Sequence, residues 1–133
     1  MTPLKNNIAF KQETSYPQSG DIKITVQELQ QEEQFALNLR IPSWSKNTIV
    51  KVNGIDVNNI KTADYLVLNR TFKNGDVIEI SLDMSAHYFM GDSNMDGYTS
   101  VYSGPILLVL DTNITGKSRD EVTFSTDDFS NMI

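Results

Sequence analysis

The sequence predicts an all-β fold, an antiparallel β-sandwich of jelly-roll-like type with about nine strands. Three observations predict it. Apolar and polar residues alternate with period two in several short runs, the pattern of a strand with one buried face. Turn-forming residues recur at short intervals between those runs. Two Asn-Gly pairs, Asn53-Gly54 and Asn74-Gly75, separate alternating stretches. Asn and Gly tolerate the positive φ of a tight turn, so both pairs are read as hairpins.

The elements follow in chain order. Strands are expected near 8–13 and 22–26, where Ile22, Ile24 and Val26 alternate with Lys23 and Thr25. Residues 27–34 have a helix-favouring composition but no apolar face, so they are read as a hairpin end rather than a surface helix. Phe35, Leu37, Leu39 and Ile41 then alternate with polar or small residues, giving a strand at 35–41. Further strands are expected at 48–53 and 65–70. Another is expected at 78–82, where Ile78, Ile80 and Leu82 share one face. Strands at 85–89, 98–102 and 106–111 complete the set. Ile106 to Leu110 lacks alternation and reads as a strand covered on both faces. Pro105 cannot donate a ladder hydrogen bond, so it belongs at that strand's first residue, and Gly104 before it permits a kink or bulge. The segment 112–133 is polar, with a short strand signal at Val122-Thr123-Phe124. The expected organisation is therefore a sandwich over 1–111, followed by a polar segment over 112–133 that is either a tail or the start of another domain.

Composition narrows the function classes. A chain of 133 residues fits one domain with a proper core. It contains no cysteine, so disulfides, thiolate metal sites and thiol nucleophiles are excluded. The net charge is −6 and no Lys/Arg cluster exists, which argues against nucleic acid as a partner. The longest apolar run, from Pro105 to Leu110, is too short for a membrane helix, so no membrane partner is expected. Met1 is followed by polar sequence, without a basic-then-apolar leader.

Few residues offer chemistry. His87 is the sole histidine and no nucleophile elbow accompanies it, so it is read as structural. The acidic pairs Glu32/Glu33, Asp120/Glu121 and Asp127/Asp128 sit in loop-like sequence and read as solvated charge. Glycoside hydrolysis needs two carboxyls facing each other across a sugar. No catalytic residue is therefore assigned. Asp92, Asn94 and Asp96, followed by Gly97, match the first half of a calcium loop, but Ser103 stands where the closing carboxylate belongs. An Asp/Asn/Gly-rich turn explains the same residues, so no cofactor is expected and calcium is the lesser alternative. Trp44 is the single tryptophan, and with Tyr65, Tyr88, Tyr98 and Tyr102 it offers rings on which a sugar stacks. Its place at the end of the strand 35–41 favours packing at the core edge over sugar contact.

Read in order, several pieces resemble one family. They are Gln12-Glu13-Thr14-Ser15-Tyr16-Pro17, Leu39-Arg40-Ile41-Pro42-Ser43-Trp44, Val50-Lys51-Val52-Asn53-Gly54 and the segment from Tyr65 to Phe72. Gly75-Asp76 through Ile80, Asp83-Met84, and Tyr102-Ser103-Gly104-Pro105-Ile106-Leu107 follow. Together they are similar to the β-sandwich region of the β-L-arabinofuranosidase-like glycoside hydrolases, glycoside hydrolase family 127 and its relatives. The resemblance covers about residues 8–111. Three positions depart from it: Asp64 replaces a Gly, Phe72 replaces a Trp, and Ser103 intrudes before Gly104.

The resemblance implies a bacterial-type enzyme whose catalysis lies on an α/α barrel preceding the sandwich, with Cys and Glu residues around zinc. This chain has no cysteine and no helical repeat, so none of those residues carries over. What is implied is a non-catalytic accessory domain of a larger glycoside hydrolase acting on arabinose-containing or related plant glycans. Its expected partner is the catalytic barrel of the parent chain, with a glycan as a further one. The resemblance is compatible with a secreted or periplasmic protein. Two other readings stay open: an autonomous carbohydrate-binding module using Trp44 and the tyrosines, and a purely structural or oligomerisation domain.

Overall fold

The computed structural model describes residues 7–90, 99–109 and 116. The chain divides into two compact units, Met1–Asp83 and Met84–Ile133. All described elements are strands, and all pairings are antiparallel.

The first unit holds seven strands. They are β1 (Ala9–Thr14), β2 (Asp21–Gln27), β3 (Glu33–Ile41), β4 (Ile49–Val52), β5 (Ile55–Asp56), β6 (Asp64–Phe72) and β7 (Val77–Ser81). One sheet has the order β1-β2-β7-β4-β5, and the other pairs β3 with β6. Alternation decides which side chains meet between them. Val26, Val50, Val52, Ile78 and Ile80 from the larger sheet share one buried cluster with Leu39, Leu68 and Phe72 from the smaller. Two sheets closing over one core form the sandwich that the period-two runs predict. Phe72, where the family pattern carries Trp, is fully buried and stacks on Phe35 with ring centroids 4.5 Å apart. A smaller ring therefore still fills that site.

All nine expected strands form. The tenth, β5, escaped the sequence reading because two residues carry no periodicity. Two connections differ from expectation, and one agrees with it. Residues 27–34 are not helical, but neither do they close a hairpin: β2 and β3 lie in different sheets. The segment crosses between sheets, and Leu29 drops into the core at 4% exposure, the apolar anchor its composition hides. Asn53-Gly54 is a hairpin turn, joining β4 to β5 with φ of 51° and 80° at its two residues. Asn74-Gly75 is not. Gly75 has a φ of 90°, and Asp76 N donates to Lys73 O at 3.1 Å, so 73–76 is a β-turn. Yet β6 and β7 belong to different sheets, and the turn carries the chain around the end of the sandwich. An Asn-Gly pair specifies the backbone of a turn and leaves the pairing of its flanks open.

The second unit holds β8 (Ala86–Met90), β9 (Thr99–Ser103) and β10 (Ile106–Leu108), in the sheet order β10-β9-β8. Gly104-Pro105 is a two-residue hairpin loop, with Ser103 opposite Ile106 and a φ of 54° at Gly104. The expectation that Ile106 to Leu110 is covered on both faces is corrected for its described residues, while Leu110 lies outside them. β10 lies at the margin of its sheet, and Ile106, Leu107 and Leu108 all remain substantially exposed. Apolar continuity in the sequence shows that a strand suits burial; it does not supply the cover.

Candidate functional site

Most of the sequence motifs turn out to hold turns and sheet junctions. Asp76, the acid of the Gly-Asp motif, is 2% exposed. Its Oδ1 accepts from Asn53 Nδ2 at 3.0 Å and its Oδ2 from the Lys73 amide at 3.0 Å. Asn53 in turn accepts the Val77 amide at 2.9 Å through Oδ1 and donates its own amide to Val77 O at 2.8 Å. One carboxylate thus ties the β4–β5 hairpin to the turn before β7. With both oxygens engaged and water excluded, it is a structural acid rather than a proton donor or acceptor for a substrate.

A second junction surrounds Ser45, which is fully buried. Its hydroxyl accepts the Asp83 amide at 2.8 Å and shares a hydrogen with Thr48 Oγ1 at 2.6 Å. Asp83 Oδ2 accepts from Asn47 Nδ2 at 3.0 Å. The segment after Ile41 is therefore clamped against the residues that follow β7. In the first motif, Thr14 donates to Asp21 O at 2.8 Å and accepts the Tyr16 amide at 2.9 Å, closing the end of the β1–β2 hairpin. The Tyr16–Pro17 peptide there is cis.

The rings proposed for sugar contact do not form one platform within the first unit. Trp44 is half-buried beyond β3. Tyr65 is exposed on β6, and the Arg40 guanidinium stands over its ring at 5.8 Å from the centroid. Tyr102 belongs to the second unit, where it stacks on His87 at 5.4 Å between centroids. Tyr88 is exposed on β8. Tyr98 and the calcium half-motif Asp92, Asn94 and Asp96 lie outside the described residues, as do Asp120/Glu121 and Asp127/Asp128. Among the described residues, no group of three or more His, Asp or Glu could hold a metal.

Two surfaces of the first unit have distinct chemistry. Across the outward face of the larger sheet, the register aligns Glu13, Lys23, Glu79, Lys51 and Asp56 in one row, one residue per strand. The signs alternate along it, and Lys51 Nζ lies 3.9 Å from Asp56 Oδ1. Lys11, 3.1 Å from Glu13, holds that carboxyl below its ordinary range by a hydrogen bond first, then by its charge, with Lys23 adding to it. The sequence showed these charges singly. Their row appears only once the register is known. The outward face of β3 and β6, by contrast, carries no carboxylate. A shallow groove of about 280 Å³ runs beside it, lined by Ile55, Val57, Val67 and Arg70 among others.

Residues 2–84 match the family described as the GH127 middle domain of β-L-arabinofuranosidases. The match ends one residue past the first unit. A solved glycoside hydrolase is 32% identical with a TM-score of 0.70, covering 75% of this chain and 17% of its own. A GH127 β-arabinofuranosidase is 30% identical with a TM-score of 0.68, covering 77% of this chain and 19% of its own. A GH127 β-L-arabinofuranosidase from Geobacillus stearothermophilus T6 is 28% identical, also at 0.68, covering 77% and 17%. No curated protein is significantly similar to the chain. The chain thus spans less than a fifth of the length of these solved relatives.

Proposed function

We propose, because the chain belongs to the GH127 middle-domain family of β-L-arabinofuranosidases, that it serves as a non-catalytic β-sandwich domain of a larger glycoside hydrolase. Its parent would act on arabinose-containing or related plant glycans, and the domain would pack against the catalytic α/α barrel. The observation that carries this reading is the coverage: the matched region is only 17–19% of each solved relative. The chemistry of the site supports it. Both oxygens of the buried Asp76 carboxyl accept hydrogen bonds within the fold, and the buried Ser45 hydroxyl accepts the Asp83 amide and bonds to Thr48.

Two measurements test it. The native protein should have a mass several times the 15.0 kDa of this chain. The isolated chain should give no turnover of aryl arabinosides, galactosides or glucosides above buffer. Turnover that disappears on mutating a residue of this chain would refute the non-catalytic role.

The carbohydrate-binding alternative leans on Trp44 and Tyr65. Half-burial of Trp44 supports a packing role for it. Trp44→Ala should therefore destabilise the domain by about 2 kcal/mol, less than the loss of a fully buried ring. Arabinan should leave the native tryptophan fluorescence unchanged. Quenching by arabinan, with a mutant as stable as the native chain, would favour the binding module.

A further inference from the structure

We infer that the outward face of the β3–β6 sheet is the surface through which this domain joins another domain of its parent polypeptide; the inference rests on the reading of the chain as part of a larger enzyme. The register places Ala36, Asn38 and Arg40 of β3 opposite Asn69, Val67 and Tyr65 of β6. All six are exposed. None is acidic, in a chain with 17 acidic residues. Tyr65 and Val67 are each 55% exposed, at strand positions that polar residues fill on a face meant for water. The face borders the groove, which Val67 and Ile55, itself 73% exposed, line together with the charged Asp56 and Arg70. A patch without a carboxylate, with one tyrosine, two aliphatic side chains, two asparagines and an arginine, has the mixed polar and apolar composition of a contact between domains of one chain.

The opposite face excludes itself. Burying the Glu13–Lys23–Glu79–Lys51–Asp56 row would strip water from five exposed charges, of which Lys51 and Asp56 stand 3.9 Å apart. Of the two sheet faces, the β3–β6 face has fewer charges to desolvate: Arg40 on the face itself, with Arg70 and Asp56 at the edge of its groove. The occupant follows from the relatives. In them more than four-fifths of the polypeptide lies outside the matched region, so such a domain has a large covalent neighbour to meet. A glycan fits less well, because this face offers a single exposed ring, and the Arg40 guanidinium stands 5.8 Å from its centroid. The matching surface presents apolar side chains to Val67 and Ile55, and a carboxylate to Arg40.

The test places Val67→Lys and Ile55→Lys in the isolated chain and in the full-length parent enzyme. Both side chains are exposed, so the isolated chain should melt as before. The full-length variants should melt several degrees lower and release this domain faster under limited proteolysis. Lys23→Gln on the other face should shift both forms equally. Unchanged melting and proteolysis of full-length Val67→Lys overturns the inference while leaving the parent reading intact. A native product no larger than this chain overturns both. If sedimentation shows a dimer of the isolated chain that Val67→Lys dissociates, the occupant is a second copy. If arabino-oligosaccharides bind and Tyr65→Ala abolishes binding, it is a glycan. Either result overturns the inference.

Discussion

Asp76 is the residue on which the two Asn-Gly turns converge. A carboxyl at 2% exposure has given up its water, and here Asn53 and the Lys73 amide supply hydrogen bonds in its place. Removing it takes away the acceptor that the Asn53 side chain and the Lys73 amide share. Asp76→Ala should cost about 2–3 kcal/mol in urea melts, on the order of one lost charged hydrogen-bond set. Asn53→Ala should cost a similar amount, and the double mutant less than the sum, because both remove the same junction. Strict additivity would refute the coupling. The glycines are a separate matter. Gly54 and Gly75 have φ of 80° and 90°, and a Cβ added at either would meet nothing within 4 Å. The penalty for Gly54→Val or Gly75→Val is therefore backbone strain alone, about 1 kcal/mol or more. Unchanged stability would show that those conformations are not held in solution. The positive φ at both glycines was legible in the sequence, since Asn-Gly reports a local backbone preference. The role of Asp76 was not, because its partner Asn53 stands 23 positions away.

At the scale of elements, register turns scattered charges into a row. Opposite charges directly across antiparallel strands contribute roughly 0.2–1 kcal/mol each, and like charges oppose pairing. Lys51 sits between Glu79 and Asp56, so Lys51→Glu would set three carboxylates side by side. It should destabilise the domain by about 1 kcal/mol at low salt, with the effect shrinking at high salt as exposed charges are screened. A cost independent of salt would refute the electrostatic account. Glu13 adds a pH dependence of known sign. Its depressed carboxyl contributes stability that is present at neutral pH and lost as pH falls through the folded-state value. Because the group is exposed, that loss is small, and Lys11→Ala should flatten it. Strand existence was legible here because alternation is local: Ile22, Ile24 and Val26 declare a face without reference to any other segment. Pairing was not. The order β1-β2-β7-β4-β5 brings together residues far apart in sequence, and no local pattern marks Glu79 as the neighbour of both Lys23 and Lys51.

For the whole molecule, the buried cluster is the unit of account. Its members and the half-buried residues packed on it run from Ile8 to Leu82. Every one lies in the first unit. The same boundary falls one residue before the family match ends. A core complete within one unit predicts that this unit unfolds as one cooperative body without the rest of the chain. Its size permits this, since domains of this length bury roughly 60% of the surface their unfolded chains expose, enough for marginal but real stability. The junctions at Asp76 and Ser45 also close within it. A fragment ending at Asp83 should therefore melt cooperatively, with coincident transitions by circular dichroism and tryptophan fluorescence. Its urea m-value should match the surface exposed by some 80 residues, at the low end of about 1–3 kcal/mol/M. In that fragment Phe72→Ala, which removes a fully buried ring stacked on Phe35, should cost about 3–5 kcal/mol and abolish the transition near room temperature. Noncoincident or shallow transitions in the unmutated fragment would show that the core needs residues beyond Asp83, and the first unit would then be a cluster of contacts rather than a domain.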